Sequence, residues 1–401
     1  MGAFLEKPKT NKYLEQGEGN GLQFGVASMQ GWRAEMEDAH TARSNLDGAL
    51  KDWSYFAVFD GHAGVTASAH CSEHLLDTIM ETEEFQEDVM KSILHGFLVL
   101  DSRMRMTSVH KSGSTAVCAF ISPRLMYVAN CGDSRAVLCQ SGSPVFTTQD
   151  HKPELPLERE RILKAGGSVV LQRVNGNLAV SRALGDFQYK KSEDRGPCEQ
   201  LISPEPEIFV RDRDDGLDEF LVLACDGIWD VMSNEGLCKF IHSRLKITHD
   251  LQEVTSQVID TCLYKGSRDN MTIILVVFPG APKPCPDAIA ADKELDRTLE
   301  KRIKEIVDEN SEIRFTDVLF KLMALNIEGL PPGGGLAAKR SLIGQIYKEL
   351  CPQLAENAEY FDNDCNNAII IISCIIQIPR GRICMDSSFA LIVKWSLEMY
   401  C

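Results

Sequence analysis

Residues 219–230 read EFLVLACDGIWD: an apolar run, a cysteine, an aspartate-glycine step at Asp226, and a second aspartate at Asp230. The run is too short for a buried helix and is closed by a turn signal, so it reads as a strand covered on both faces. The same grammar recurs along the chain. WSYFAVFDGH (53–62) ends on Asp60, LMYVANCGDSR (125–135) on Asp133, and SRDNMTIILVVF (267–278) opens with Asp269. LQFGVASM (22–29) leads through GWRAEMEDAH (31–40) to Glu37 and Asp38, and STAVCAFI (114–121) adds a further strand. Any one strand emptying into Asp-Gly is an ordinary turn. Five such acidic motifs in one chain are not accounted for by turns. Carboxylates that converge repel one another unless cations neutralise them, and hard oxygen ligands without paired His or Cys favour Mg²⁺ or Mn²⁺ over zinc.

Helical spacing appears between these strands at Val65 to Met80, Glu87 to Met106, Pro156 to Ala165, Asn234 to Leu245 and Leu251 to Tyr264. Helices and strands do not alternate strictly, so the pattern predicts an α+β fold with stacked sheets and covering helices. PGAPKPCPDA (279–288) carries four prolines and reads as a boundary. A small helical annex follows, with helices predicted over Asp292 to Glu309, Arg314 to Leu325 and Leu336 to Leu350. The division is therefore 1–283, 284–352 for the annex, and 353–401 for a divergent tail. The tail holds AIIIISCIIQI (368–378), β-branched and low in charge, which is the signature of an aggregation-prone strand and about half the length needed to span a bilayer.

The whole chain has 401 residues, 44% hydrophobic and 25% charged, which is ordinary globular usage and excludes a disordered or membrane-spanning class. Its formal charge of −16 disfavours nucleic acid and anionic lipid as partners. The 14 cysteines form no CxxC pair, several sit in apolar runs, and the N-terminus has no apolar signal segment. A reducing compartment, cytoplasmic or nuclear, is expected. His70 and His74 share a helix face, but the glutamate of an HExxH zinc motif is misplaced at Glu73. No P-loop, strand-linked GxGxxG or GxSxG occurs.

In chain order, FGVASMQGWRAEMEDAH, FAVFDGHAG, SGSTAV, NCGDSRAVL, QDHKP, NGNLAVSRALGD, LACDGIWDVM and GSRDNMT resemble the successive motifs of the type 2C metal-dependent serine/threonine protein phosphatases. The similarity covers about 22–278. The opening MGAFLEKPKT and the annex further resemble the animal alpha/beta branch. The resemblance implies two antiparallel sheets packed face to face, helices outside, and two Mg²⁺ or Mn²⁺ ions in a cleft at one edge. It implies that Asp60 bridges both ions, that the Gly61 carbonyl ligates one, and that Asp226 and Asp269 ligate the other. Glu37 and Asp38 match residues that ligate the ions or hold their waters, and Asp133 and Asp230 match a weaker third position. Arg33 matches the guanidinium that holds the phosphate bidentately. His62 is placed to protonate the departing serine or threonine oxygen, the alternative being a histidine that only orients water. Arg173 and Arg182, in a stretch similar to the family's flap, are candidates for contacting substrate.

Phosphorylated proteins are the implied partners, with the chain acting as a monomer. Rival classes are a metal-dependent phosphodiesterase, disfavoured by the absence of a basic aromatic groove, and a non-catalytic scaffold, which would need a missing carboxylate. Gly2 matches the myristoylated residue of the alpha/beta branch, although Glu6 replaces the usual Ser or Thr. One acyl chain would give only transient membrane contact.

Overall fold

Strands Ser54–Phe59, Ala116–Ile121, Phe220–Ala224 and Met271–Val277 are buried at every residue, because each lies between a second sheet on one side and helices on the other. In the computed structural model, which describes residues 4–355 apart from 83, 84, 86 and 108–110, these strands are the centres of two antiparallel sheets. The first sheet has the order β1 (Phe4–Gly19), β2 (Leu22–Arg33), β16 (Met271–Val277), β15 (Phe220–Ala224), β9 (Arg135–Gln140), β10 (Ser143–Thr147). The second runs β14 (Glu207–Asp212), β8 (Leu125–Cys131), β7 (Ala116–Ile121), β4 (Ser54–Phe59), β3 (Ala39–Arg43). A short ladder joins β13 (Leu184–Gly185), β6 (Gly113–Ser114) and β5 (Gly61–His62), and a hairpin pairs β11 (Val169–Val170) with β12 (Arg173–Val174).

Alternate side chains of each central strand enter different cores. Leu221 and Leu223 of β15 meet Phe56 and Val58 of β4 between the sheets. Phe220 and Val222 face the other way, among Ile241 of α5 (Asn234–Leu245) and Val254 and Val258 of α6 (Leu251–Tyr264). Tyr55 and Phe59 of β4 likewise pack with Leu75 of α1 (Thr66–Met80) and Phe97 of α2 (Val89–Arg105). The result is the expected sandwich of helices, sheet, sheet and helices. Three of these helices begin on a side-chain cap: Asp88 accepts from Lys91 N, Ser233 from Gly236 N and Asp250 from Glu253 N. The chain also forms α3 (Pro156–Lys164) and the one-turn α4 (Asp226–Trp229).

Two elements depart from the sequence reading. β1 is polar, carries Pro8 and three lysines, and shows no hydrophobic alternation; it forms because β2 offers an open edge, where proline and lysine are tolerated. The first annex helix starts before the Asp292 expected from the sequence, inside the proline-rich segment, since Pro286 occupies the first position of α7 (Pro286–Glu309), where a missing N–H costs nothing. With α8 (Phe315–Ala324) and α9 (Arg340–Leu350) it builds its own core around Ile303, Val318, Leu322 and Ile343. Within this unit Lys339, just before α9, donates to Asp292 and Asp296 of α7, and Arg244 of α5 ties the unit to the sandwich through Asp292. The tail beyond residue 355, and Gly2, lie outside the described residues.

The annex meets α5 at a close backbone approach. Gly333 has φ +71°, and a Cβ there would overlap Gly236 O, whereas Gly335, with φ +58°, has open space. Gly333→Ala is expected to lower stability by about 2 kcal/mol and Gly335→Ala by only about 1 kcal/mol, read from denaturant unfolding. Equal effects would mean that the close approach contributes nothing.

Candidate metal centre

The acidic residues arrive from both sheets. Asp60 follows β4 of one sheet, and Asp226 follows β15 of the other. Carboxylate oxygens of Asp60, Asp133 and Asp226 lie within 4.8 Å of one another, and so do ligand atoms of Asp38, Asp60 and Cys225. Asp60 therefore belongs to both groups. Both carboxylate oxygens of Asp38 are buried without a well-formed hydrogen bond among the described residues, although the Thr272 hydroxyl and the Cys225 thiol lie close enough to favour the charged form. Removal from water pushes the Asp38 carboxyl up to about 7. Desolvation, then the charges of Asp226, Asp38, Asp133 and Asp269, hold Asp60 well above the ordinary carboxylate range. Asp226 is raised by desolvation and by Asp133, Asp269 and Asp230, and Asp230 is raised as well. Unpartnered oxygens among mutually repelling carboxylates are the donor set that a hard dication satisfies, so the residues present fit Mg²⁺ or Mn²⁺.

Backbone contacts hold these carboxylates in place. Thr115 N donates to Asp60 O at 2.9 Å, and its hydroxyl accepts from Asp60 N at 3.2 Å. A Cβ on Gly61 would overlap Glu37 O, and one on Gly227 would overlap Asn270 O. The glycines of both Asp-Gly steps are thus required by close packing between strands rather than by turn conformation. Asn270 donates to Gln30 O at 2.8 Å and Glu35 O at 3.0 Å and accepts from Glu37 N at 2.8 Å, tying the loop that carries Glu37 and Asp38 to β16. Glu37 itself accepts from Gly64 N at 2.6 Å. In SRDN the sequence marks Asp269 as the candidate ligand, while the neighbouring Asn270 does this structural work.

Two cations border the cluster. Arg33 Nη2 contacts Asp269 at 2.5 Å, while its buried Nε has no partner; desolvation opposes its charge, but Asp269 outweighs that and the pKa is raised. Lys152 Nζ lies 2.5 Å from Asp133. His62 Nε2 lies 2.6 Å from Asp186, whose side chain is 2% exposed. Burial alone would lower the His62 pKa, yet Asp186 reverses the direction and raises it. Asp186 adopts φ +53°, and a Cβ on Gly113 would run into both partners, so the glycine of β6 makes room for the pair. In the sequence Asp186 is one more acid after glycine in LGD; its left-handed conformation is the signal, and it is visible only in the backbone.

The two flap arginines have different surroundings. Arg173 is exposed and donates to Asn177 O at 2.7 Å. Arg182 directs Nε and Nη2 to Glu158 at 3.0 and 2.7 Å and Nη1 to Glu205 O, in a network with Arg161 and Ser181. That network braces α3 against the flap. The His70 and His74 rings lie 4.3 Å apart, tilted by 55°, and neither belongs to a group of three metal-ligating side chains among the described residues.

Residues 22–271 match the family model described as Protein phosphatase 2C, and residues 272–348 match Protein serine/threonine phosphatase 2C, C-terminal domain. The chain is 52% identical over 379 residues to Protein phosphatase 1A of Homo sapiens, covering 91% of this chain and 99% of that protein. It is 54% identical over 373 residues to Protein phosphatase 1B of Rattus norvegicus, covering 88% and 95%. Among solved structures, a phosphatase from a pathogenic strain of Toxoplasma gondii aligns with a TM-score of 0.61 at 28% identity, covering 67% of this chain and 96% of that one. A C. elegans sex determining protein aligns with a TM-score of 0.57 at 28% identity, covering 67% of each.

Cluster repulsion has a pH signature. Carboxyls whose pKa rises on folding stabilise the fold at low pH and lose that contribution as pH climbs through the folded value; for Asp38 the window runs from 3.8 to about 7. In chelator-treated protein, Asp60→Asn is expected to melt above wild type at pH 8, with the gap narrowing towards pH 5. Mn²⁺ should raise the wild-type Tm more than the variant's. A variant that melts lower at pH 8 would contradict a repulsive cluster.

Proposed function

Because the chain belongs to the protein phosphatase 2C family, with relatives in its animal alpha/beta branch, and is a metal-dependent serine/threonine protein phosphatase, we propose a specific assignment of its residues to that reaction. The observation that carries the assignment is the place of Asp60 in both ligand groups, beside the unpartnered oxygens of Asp38. We assign this cluster to two Mg²⁺ or Mn²⁺ ions, which Asp60, the Gly61 carbonyl, Asp226 and Asp269 would hold, with Glu37 and Asp38 supporting them. When bound, such ions supply an activated water and offset charge on the phosphoryl oxygens.

Arg33 holds the substrate phosphate. Its guanidinium presents five donors in a planar fork, of which the Asp269 contact fixes the orientation and leaves others for the phosphate oxygens. His62 gives a proton to the leaving serine or threonine oxygen. Since Nε2 is engaged by Asp186, the proton leaves from Nδ1, and Asp186 keeps the ring turned for that transfer. A third, weaker cation at Asp133 and Asp230 would have to compete with the Lys152 ammonium already on Asp133, which accounts for weakness. Arg173 is the flap residue assigned to substrate, because it is exposed and has no carboxylate partner among the described residues, whereas Arg182 is committed to Glu158.

The proposal extends to a catalytic unit of residues 1–283, a helical unit of 284–352 and a separate tail, in a monomer of the cytoplasm and nucleus. Acylation at Gly2 would add transient membrane contact.

Asp60→Asn, Asp226→Asn and Asp269→Asn are each expected to reduce Mn²⁺-dependent phosphopeptide turnover by on the order of 10³-fold or more in folded protein. Activity that survives in Asp60→Asn at saturating Mn²⁺ sinks the two-ion assignment. Asp186→Asn and His62→Gln are expected to lower kcat on alkyl phosphates by on the order of 10²-fold and on nitrophenyl phosphate far less, because nitrophenolate leaves without a proton. Equal losses on both substrates, or recovery with added Mn²⁺, would remove both residues from proton transfer.

A further inference from the structure

Away from the acidic cluster, the C-terminal part of α2 and residues 190–200 enclose a cavity of about 540 Å³, within the size range of ligand pockets. Its floor is a neutralised pair: Lys190 Nζ donates to Asp101 at 2.6 Å and to Ala183 O at 2.9 Å, and Asp101 also accepts from Gly185 N at 2.8 Å. The charged part of the remaining lining is mostly cationic. Arg105, Lys191 and Arg195 have no carboxylate partner among the described residues, and Glu193 is the one lining acid outside the pair. In a chain of net charge −16 this concentration of positive charge is out of character.

The wall is also held in shape before anything binds. Gln200 is buried and donates to Ser192 O at 2.9 Å and Arg195 O at 3.1 Å while accepting from Ser192 N at 3.0 Å, which closes the 192–196 loop on itself. Arg105 Nη1 donates to Lys190 O at 3.1 Å, and its guanidinium lies 4.9 Å from the centre of the Phe187 ring. Phe187 directly follows Asp186, the partner of His62. The leaving group of the reaction is the substrate polypeptide, and it departs on the side of the cleft that His62 serves. The cavity floor is joined to the pair of His62 and Asp186 through Gly185, which donates to Asp101 at 2.8 Å and directly precedes Asp186.

We propose that this cavity is a substrate subsite that takes acidic side chains flanking the phosphoserine or phosphothreonine, with Arg105, Lys191 and Arg195 as the contacts. The proposal rests on the phosphatase reading above. It gives the enzyme a preference for acidic substrate segments although its overall charge repels them, and the preference is salt-sensitive because Arg105 and Lys191 are exposed and Arg195 only half-buried.

The test compares two phosphothreonine peptides, one with Asp and Glu at the flanking positions and one with Ala and Ser, using the full chain with Mn²⁺. Wild type is expected to favour the acidic peptide about tenfold in kcat/KM at low salt, with the preference shrinking at high salt. Arg105→Ala/Lys191→Ala/Arg195→Ala should abolish the preference through KM, leaving kcat and nitrophenyl phosphate hydrolysis unchanged. Lys191→Ala/Arg195→Ala, which removes no hydrogen bond seen in the structure, should lose part of it and guards against misfolding of the triple variant. A preference kept in the triple variant, or an equal loss on both peptides, would overturn the subsite. Failure of wild type to hydrolyse either peptide would refute the phosphatase reading itself.

Discussion

Repulsion among carboxylates confined to one cleft is the constraint on which the rest of this structure depends. Asp60 and Asp226 are delivered by strands of different sheets, and Asp133 joins them within 4.8 Å. The apolar strands that carry them are anchored in the core between the sheets, so the acids cannot separate without disturbing Phe56, Val58, Leu221 and Leu223. A fold that forces like charges together must offset them with cations, and here the offset is assigned to bound dications with Arg33 and Lys152 at the border.

The surrounding groups follow from that arrangement. Close backbone approaches at Gly61 and Gly227 set the distance between the strand ends, and Asn270 ties the Glu37 loop to the same place. The short ladder of β5, β6 and β13 then carries His62 and the residue before Asp186 on opposite edges of β6, which puts the imidazole against the carboxylate across Gly113. Geometry that binds cations and geometry that positions a proton donor are therefore one continuous piece of backbone.

Much of this was legible in the chain because burial on both faces writes a plain signal: unbroken apolar runs ending in acid, as in 219–230, mark strands and their ligands at once. Helices α1, α3, α5 and α6 were readable within a residue or two from their spacing. What the sequence hides depends on long-range pairing. β1 has no apolar pattern because an edge strand needs only a neighbour's free hydrogen bonds. Arg182 looks like one charge among many in a mixed-charge stretch, and only folding brings Glu158, 24 residues away, onto it. Asp186 reads as another turn acid, while its partner lies 124 residues earlier.

The central claim, that the cluster exists to hold two dications bridged by Asp60, is tested most directly by anomalous diffraction from crystals of the chain grown with Mn²⁺. The account predicts two peaks about 4 Å apart, both within bonding distance of Asp60, one of them also touching Asp226 and Asp269. A single ion, ions that do not share Asp60, or an empty cluster at millimolar Mn²⁺ would contradict it.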